Sequence, residues 1–203
     1  DEKTWFLWST YGMSGQWSQV AGKHIAFVIQ FKDEQLFFND QRRFGTIKFV
    51  NDYRAMQAKL NTLGPDVLED PPIDPGLFAQ RILGKPHRTI CEALMDQSCV
   101  SGVGNYLKSE ALYRSGISPH RQVVELSSIE IQKLWSEVLQ TSRESYVDQG
   151  ASIRTYRTVD DKKGQAQFFF RVYGLKNCPC NHPVIREETL DGRASWWCKD
   201  CQH

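Results

Sequence analysis

Five residues near the end of the chain have the donor types and spacing of a metal site: Cys178, Cys180, His182, Cys198 and Cys201, while Cys91 and Cys99 stand alone. Thiolates and imidazole in tetrahedral array are what a structural Zn²⁺ takes, and two ligand pairs let a short hairpin hold the ion without a large apolar core. One pair is Cys198-x-x-Cys201. In the other, Cys178-Pro-Cys180 is tighter than the usual gap, whereas Cys178-x-x-x-His182 offers a sulfur and a ring nitrogen. The expected ligands are Cys178, His182, Cys198 and Cys201, with Cys180 as the competitor. Four protein ligands leave no open position, so such an ion stabilises the finger and does no catalysis. Clustering of this kind argues for reduced thiols rather than a disulfide framework.

A second stretch with chemical potential runs from Leu94 to Leu112, where Gly102 and Gly104 interrupt two helical runs. Glycines permit close backbone approach, and a helix beginning near Asn105 directs unpaired N–H groups at whatever precedes it, a phosphate being the best match. A plain turn between core helices fits these residues equally well. Around these segments, residues 24–31 alternate, with Ile25, Phe27, Ile29 and Phe31 on one face, and residues 35–38 follow a polar turn, which predicts a hairpin. Residues 5–8 and 46–50 are also strand-like. The run from Gly64 to Pro75 breaks any period, as a connection would. Ser127 with Glu130 makes a capping box, and Ile131, Leu134, Trp135, Val138, Leu139 and Ser142 recur at helical spacing until Gly150. Residues 167–173 read as a strand, and Asp191-Gly192 as a two-residue hairpin turn.

The 203 residues suffice for two small domains. Lys plus Arg number 25 and Asp plus Glu 24, so the total charge carries no footprint for nucleic acid and any such argument rests on local placement. No stretch approaches the roughly 18 apolar residues of a membrane span, and Asp1-Glu2-Lys3 is not a secretory signal, so no membrane partner and an intracellular protein are expected.

Five motifs, in order, carry a family likeness. Tyr11-Gly12-Met13-Ser14-Gly15, Asp40-Gln41-Arg42-Arg43-Phe44-Gly45, Leu63-Gly64-Pro65-Asp66, the Leu94 to Leu112 segment, and Gly192-Arg193 with Trp197-Cys198 and Cys201-Gln202 resemble the signatures of the formamidopyrimidine-DNA glycosylase and endonuclease VIII family. The resemblance implies an α+β fold: a partial antiparallel β-sandwich over residues 1–62 with its N-terminal part missing, an interdomain connection at 63–75, a helical domain with a helix-two-turn-helix at 76–160, and a zinc-finger β-hairpin at 161–203. It implies a monomer that removes oxidised bases from DNA, pyrimidines being the expected class. It also implies that the strand is cut at abasic sites by β/δ-elimination through a Schiff base.

The family's nucleophile, the amine of an N-terminal proline, has no match here. The resemblance places it upstream of Asp1, and the chain by itself is expected to be inactive. Met13, Arg42 and Phe44 resemble the residues that fill the gap left by a flipped nucleotide, a task suited to an apolar chain, an aromatic ring and a guanidinium. His24 matches a position near the DNA backbone. Asn105 and Arg193 match the pair that grips phosphates around the lesion, Arg193 also assisting the δ-elimination, for which a permanent bidentate cation is apt. Cys91 stands where bacterial members carry a lysine, which leaves Lys85, His87 or Arg88 to supply charge. That departure and the Cys-x-x-x-His spacing resemble the second vertebrate endonuclease VIII-like glycosylase and its viral relatives, which implies oxidised, abasic, bubble or single-stranded DNA as partner, and a nuclear place if eukaryotic, otherwise cytoplasmic or viral. The competing readings are a damaged-DNA-binding module without chemistry and a zinc-finger protein-interaction module, which leaves Arg42, Phe44 and Asn105 idle.

Overall fold

The computed structural model describes residues 4–12, 14–151 and 163–203, and the chain divides into two compact units. The first is Asp1–Asn61 with Val147–Phe168, the second Thr62–Tyr146 with Phe169–His203. No helix among the described residues is long and apolar enough to cross a membrane.

The first unit is built on two antiparallel sheets. Strand β1 (Phe6–Thr10) pairs with β5 (Thr46–Val50), while β2 (Gly15–Ser18), β3 (Ile25–Gln30) and β4 (Gln35–Asp40) form a sheet in the order β2-β4-β3. The predicted hairpin is β3 and β4, with a register irregularity between Ile25 and Phe27. Phe31 departs from its expected face and is 53% exposed, because the turn has begun there: its N–H donates to the Glu34 carbonyl at 2.9 Å. Aromatic rings fill the space between the sheets. Trp17 lies 5.1 Å from Phe38 and meets Phe27 edge-on at 6.5 Å, and Phe27 in turn lies 5.9 Å from Phe49 of β5. Helix α1 (Tyr53–Leu60), capped by the Asp52 carboxylate, buries none of its residues. Its apolar positions Tyr53, Met56 and Leu60 span only two turns, too short a run for periodicity to single it out.

The second unit holds α2 (Pro75–Leu83), α3 (Ile90–Met95), α4 (Asn105–Ser115) and α5 (Ser128–Val147), followed by the hairpin β6 (Ile185–Glu188) and β7 (Ala194–Trp197). Its core centres on Phe78 stacked on Trp135 at 4.5 Å, with the Trp135 indole N–H donating to the Ile73 carbonyl at 3.1 Å. Ile131, Leu134, Trp135 and Val138 are buried as the spacing requires. The capping box forms: Glu130 accepts from the Ser127 N–H at 2.8 Å, and the Ser127 hydroxyl accepts from the Glu130 N–H at 3.3 Å.

Residues 63–75 fall within the second unit. The Gly64 N–H donates to the Gln97 carbonyl at 2.7 Å and the Ser101 N–H to the Pro65 carbonyl at 2.8 Å, so this segment is docked on the turn after α3. The strand expected at 167–173 does not form. A 3₁₀ turn at Ala166–Phe169 is followed by irregular backbone, with Phe168 and Phe169 exposed. The N–H groups of 171–173 go instead to a single carboxylate, that of Glu110. The two-residue hairpin turn is also longer than expected. The Thr189 N–H donates to the Arg193 carbonyl at 3.0 Å, leaving three residues at the tip, and Gly192 at φ +73° takes the left-handed position such a loop needs.

Candidate functional site

The finger residues come together. One ligand atom from each of Cys178, His182, Cys198 and Cys201 lies within 4.8 Å of every other. Cys178 and Cys201 sulfurs are 3.9 Å apart, and His182 Nδ1 is 3.5 Å from the Cys201 sulfur. A tetrahedral ion with Zn–S near 2.3 Å and Zn–N near 2.0 Å needs edges of roughly 3.8 and 3.6 Å, which these two distances match. Cys180 is exposed and outside the cluster. Burial pushes the Cys178 thiol up, but the N–H groups of His182 and Cys180 and the Tyr113 hydroxyl outweigh it and bring it down to about 7, while burial and the neighbouring Cys198 and Cys178 push the Cys201 thiol up.

Asn105 is the first residue of α4, and the cap before it, Gly104, offers no side chain, so no side-chain bond caps the helix. The turn that aims this helix is tied by Gln97, whose side chain accepts from the Gly102 N–H at 2.9 Å and donates to the Val103 carbonyl at 3.0 Å. The Asn105 amide donates to the Ala194 carbonyl of β7 at 2.8 Å, while its Oδ1 is buried with no partner. Arg193, the residue before Ala194 along the hairpin, is exposed, and its guanidinium has no ion pair among the described residues. Beneath the tip, Lys108 and Asp191 form an ion pair at 2.6 Å with side chains 0% and 2% exposed.

Of the basic residues that could replace the charge missing at Cys91, Arg88 is committed internally, to Asp96 at 2.8 Å and the Cys99 sulfur at 2.7 Å. Lys85 and His87 are nearer the surface. Cys91 itself is buried. Its burial pushes the thiol up to about 11, with the nearby Lys108 pulling the other way.

In the first unit, one carboxylate organises two motifs. Asp40 accepts from the Ser14 hydroxyl at 2.6 Å, the Arg42 N–H at 3.2 Å and the Gly45 N–H at 2.7 Å. These bonds, that from Ser14 first, hold its carboxyl below the usual range. Gly15 and Gly45 both lie against the Phe38 ring, where a Cβ would come within 2.8 and 2.6 Å of it. The loop they pin presents Arg42 over the Phe44 ring at 4.7 Å, with Phe44 62% exposed. Arg43 takes a left-handed φ of 57° and donates to the Ile25 carbonyl at 3.1 Å. His24 is exposed and lines, with Ser14, Gln16, Lys23, Asn39 and Gln41, a polar recess of about 230 Å³. Met13 lies outside the described residues. Core packing is therefore excluded for Phe44, and Arg42 is on the surface as its charge requires.

Sequence reasoning missed Lys108, Glu110 and Asp191. No local signal could have found them: α4 is polar and has no amphipathic stripe, a pattern that does not announce burial, and the partners of these side chains are distant in sequence.

Comparison with known proteins matches residues 63–157 to the formamidopyrimidine-DNA glycosylase H2TH domain. The formamidopyrimidine-DNA glycosylase of Desulfitobacterium hafniense is 34% identical over 193 residues, covering 91% of this chain and 68% of that protein. That of Bdellovibrio bacteriovorus is 35% identical over 201 residues, covering 96% and 73%. Among solved structures, the MutM (Fpg) protein of Thermus thermophilus superposes with a TM-score of 0.87 at 29% identity, covering 98% of this chain and 76% of that one. The Lactococcus lactis Fpg complexed with DNA containing an abasic site gives 0.85 at 25% identity, covering 98% and 75%. These relatives are bacterial formamidopyrimidine-DNA glycosylases, so they support the family and not the narrower likeness to the vertebrate endonuclease VIII-like branch. With sequence, fold and motif order in agreement, the chain belongs to the formamidopyrimidine-DNA glycosylase family.

Proposed function

We propose that this protein is a base-excision-repair DNA glycosylase and abasic-site lyase, with Arg42, Phe44 and Met13 entering the gap left by an extruded nucleotide and His24, Asn105 and Arg193 holding the backbone. The observation that carries this reading is the pairing of an exposed Arg193 with the N-terminus of α4, which no side chain caps, joined through the Asn105 bond to Ala194. A guanidinium and helix N–H groups are complementary to one phosphate. Arg42 over Phe44 supports the gap-filling role, since a ring replaces lost stacking and a guanidinium meets the edge of an orphaned base.

The proposed metal is Zn²⁺ on Cys178, His182, Cys198 and Cys201; when bound it supplies rigidity to the hairpin and no reactive water. The amine that would attack the deoxyribose C1′ has no match among the 203 residues. Arg193 then serves the δ-elimination as a fixed cation beside the leaving phosphate. The Cys-x-x-x-His quartet and Cys91 support an endonuclease VIII-like preference for oxidised pyrimidines and open DNA, in a monomer working in the nucleus, cytoplasm or a virus according to its source.

The test is titration of this chain with duplex containing an abasic-site analogue and with intact duplex, at several salt concentrations. Preference for the abasic duplex is expected, and Arg193→Ala should weaken binding across sequences and lower the slope of log K against log salt by about 1. Equal affinity for both duplexes, with an unchanged slope in the variant, refutes the reading. Borohydride trapping on abasic DNA with protein that begins at the native N-terminus separates lyase from binding module.

A further inference from the structure

The β6–β7 ladder ends at the pair Glu188 and Ala194. Beyond it the tip that carries Arg193 is closed along the backbone by the Thr189 N–H to the Arg193 carbonyl and the Gly192 N–H to the Thr189 carbonyl. A two-stranded ribbon of this length does not hold its tip rigidly on its own. Two bonds from α4 reach it, one on each side of Arg193: Lys108 Nζ to Asp191 at 2.6 Å, and the Asn105 amide to the Ala194 carbonyl at 2.8 Å. The first is built into the interior. Asp191 Oδ1 accepts from the Thr189 hydroxyl at 2.5 Å, and Thr189 and Ser195 hydroxyls lie 2.7 Å apart, so the carboxylate is engaged on both oxygens. A fully buried ion pair is an expensive way to fill space, and apolar residues of the same volume commonly stabilise as well or better. What a charged, hydrogen-bonded pair adds is one fixed geometry.

We propose that Lys108 and Asp191 are positioning residues for Arg193: their pair sets the distance and direction of the Arg193 guanidinium relative to the N-terminus of α4, so that both grip one phosphate. Lys108 stands one helical turn after Asn105, so the two ties share a rigid base. The inference rests on the phosphate role of Arg193 proposed above.

The experiment is a mutant cycle on the zinc-loaded chain, read as affinity for duplex containing an abasic-site analogue. Lys108→Met/Asp191→Leu removes both charges and puts apolar side chains of similar length in their place; Lys108→Gln/Asp191→Asn keeps a hydrogen bond and provides a second route if the bulkier leucine makes the first variant fold poorly. Each is made in the wild-type and Arg193→Ala backgrounds, with zinc content and thermal unfolding measured alongside. The apolar replacement is expected to weaken binding about tenfold and lower the salt slope when Arg193 is present, and to change neither in the Arg193→Ala background. The amide pair should fall between it and wild type. Equal losses in both backgrounds overturn the proposal, since the pair would then act through general integrity of the hairpin. No loss in either background overturns it as well. If Arg193→Ala alone is silent, the phosphate role fails and takes this inference with it; if Arg193→Ala is effective and the pair variants are additive with it, only the positioning role fails.

Discussion

Glu110→Gln should lower the stability of the second unit more than any other isosteric change in α4. The Glu110 side chain belongs to a residue only 1% exposed and accepts from three consecutive backbone N–H groups, Arg171 at 2.8 Å, Val172 at 3.0 Å and Tyr173 at 2.8 Å. A glutamine keeps one carbonyl oxygen and turns an NH₂ toward the remaining N–H. Two bonds then drop from charge-assisted to neutral, each losing about 1 kcal/mol, and one buried N–H is left unsatisfied at a further cost of roughly 1–3 kcal/mol. The sum, about 3–5 kcal/mol, corresponds to a fall in Tm on the order of 10 °C for a protein of this size. Differential scanning calorimetry measures it, and hydrogen exchange localises it, because the amides of 171–173 should lose protection before those of α5. A shift below about 3 °C would refute the argument, showing that irregular backbone at 171–173 is held by packing around Val172 and not by the carboxylate.

Three further outcomes are expected. Cys180→Ser should retain one equivalent of zinc while His182→Ala loses it, and chelation should collapse the near-ultraviolet dichroism of Trp196 and Trp197; the reverse dependence on the two substitutions would move the ligand set to Cys180. Gly45→Ala, whose Cβ would meet Phe38 at 2.6 Å and the Thr10 carbonyl at 2.8 Å, should destabilise the first unit by about 1–3 kcal/mol, measured by urea unfolding; a neutral result would mean that the loop relaxes freely. Acid should destabilise the chain through its lowered carboxyls. Glu130, held down to about 2 first by the Arg121 guanidinium, and Asp40, Glu144 and Glu187, also lowered, contribute stability that is complete above the ordinary carboxyl range and is lost as pH falls through their folded values. Urea midpoints should therefore fall between about pH 5 and about pH 2.5, and a flat profile would contradict the assigned pairs.

What the sequence disclosed depended on whether residue type alone carried the information. The finger quartet was legible because cysteine and histidine at such spacing have few other uses, and α5 because its apolar residues repeat once per turn. Arg42 and Phe44, for which we propose the gap-filling role, were picked out by their motif, and the structure adds the reason for Gly45 there and Gly15 in the motif before it, the Phe38 ring against both. The ion pair under the tip was not legible. Lys108 and Asp191 are 83 positions apart, and each taken alone is an ordinary surface residue type. The segment 167–173 misled for a related reason: its phenylalanines suggest a strand, yet the partner that satisfies its backbone is a side chain of α4, which no local pattern encodes.

Helix α4 has one more consequence. Leu107, Lys108, Ser109, Glu110, Ala111 and Leu112 are buried in succession, which covers every direction around the helix axis. Three of them are polar, and each is tied to a different stretch of chain: Lys108 to Asp191, Ser109 to the Trp196 N–H, and Glu110 to 171–173. Such a helix has no face on which sequence can drift. In a saturation library α4 should tolerate almost nothing, whereas α1, with no buried residue, should accept most substitutions, and the boundary between silent and damaging positions would trace the contacts of one helix rather than the edge of any motif.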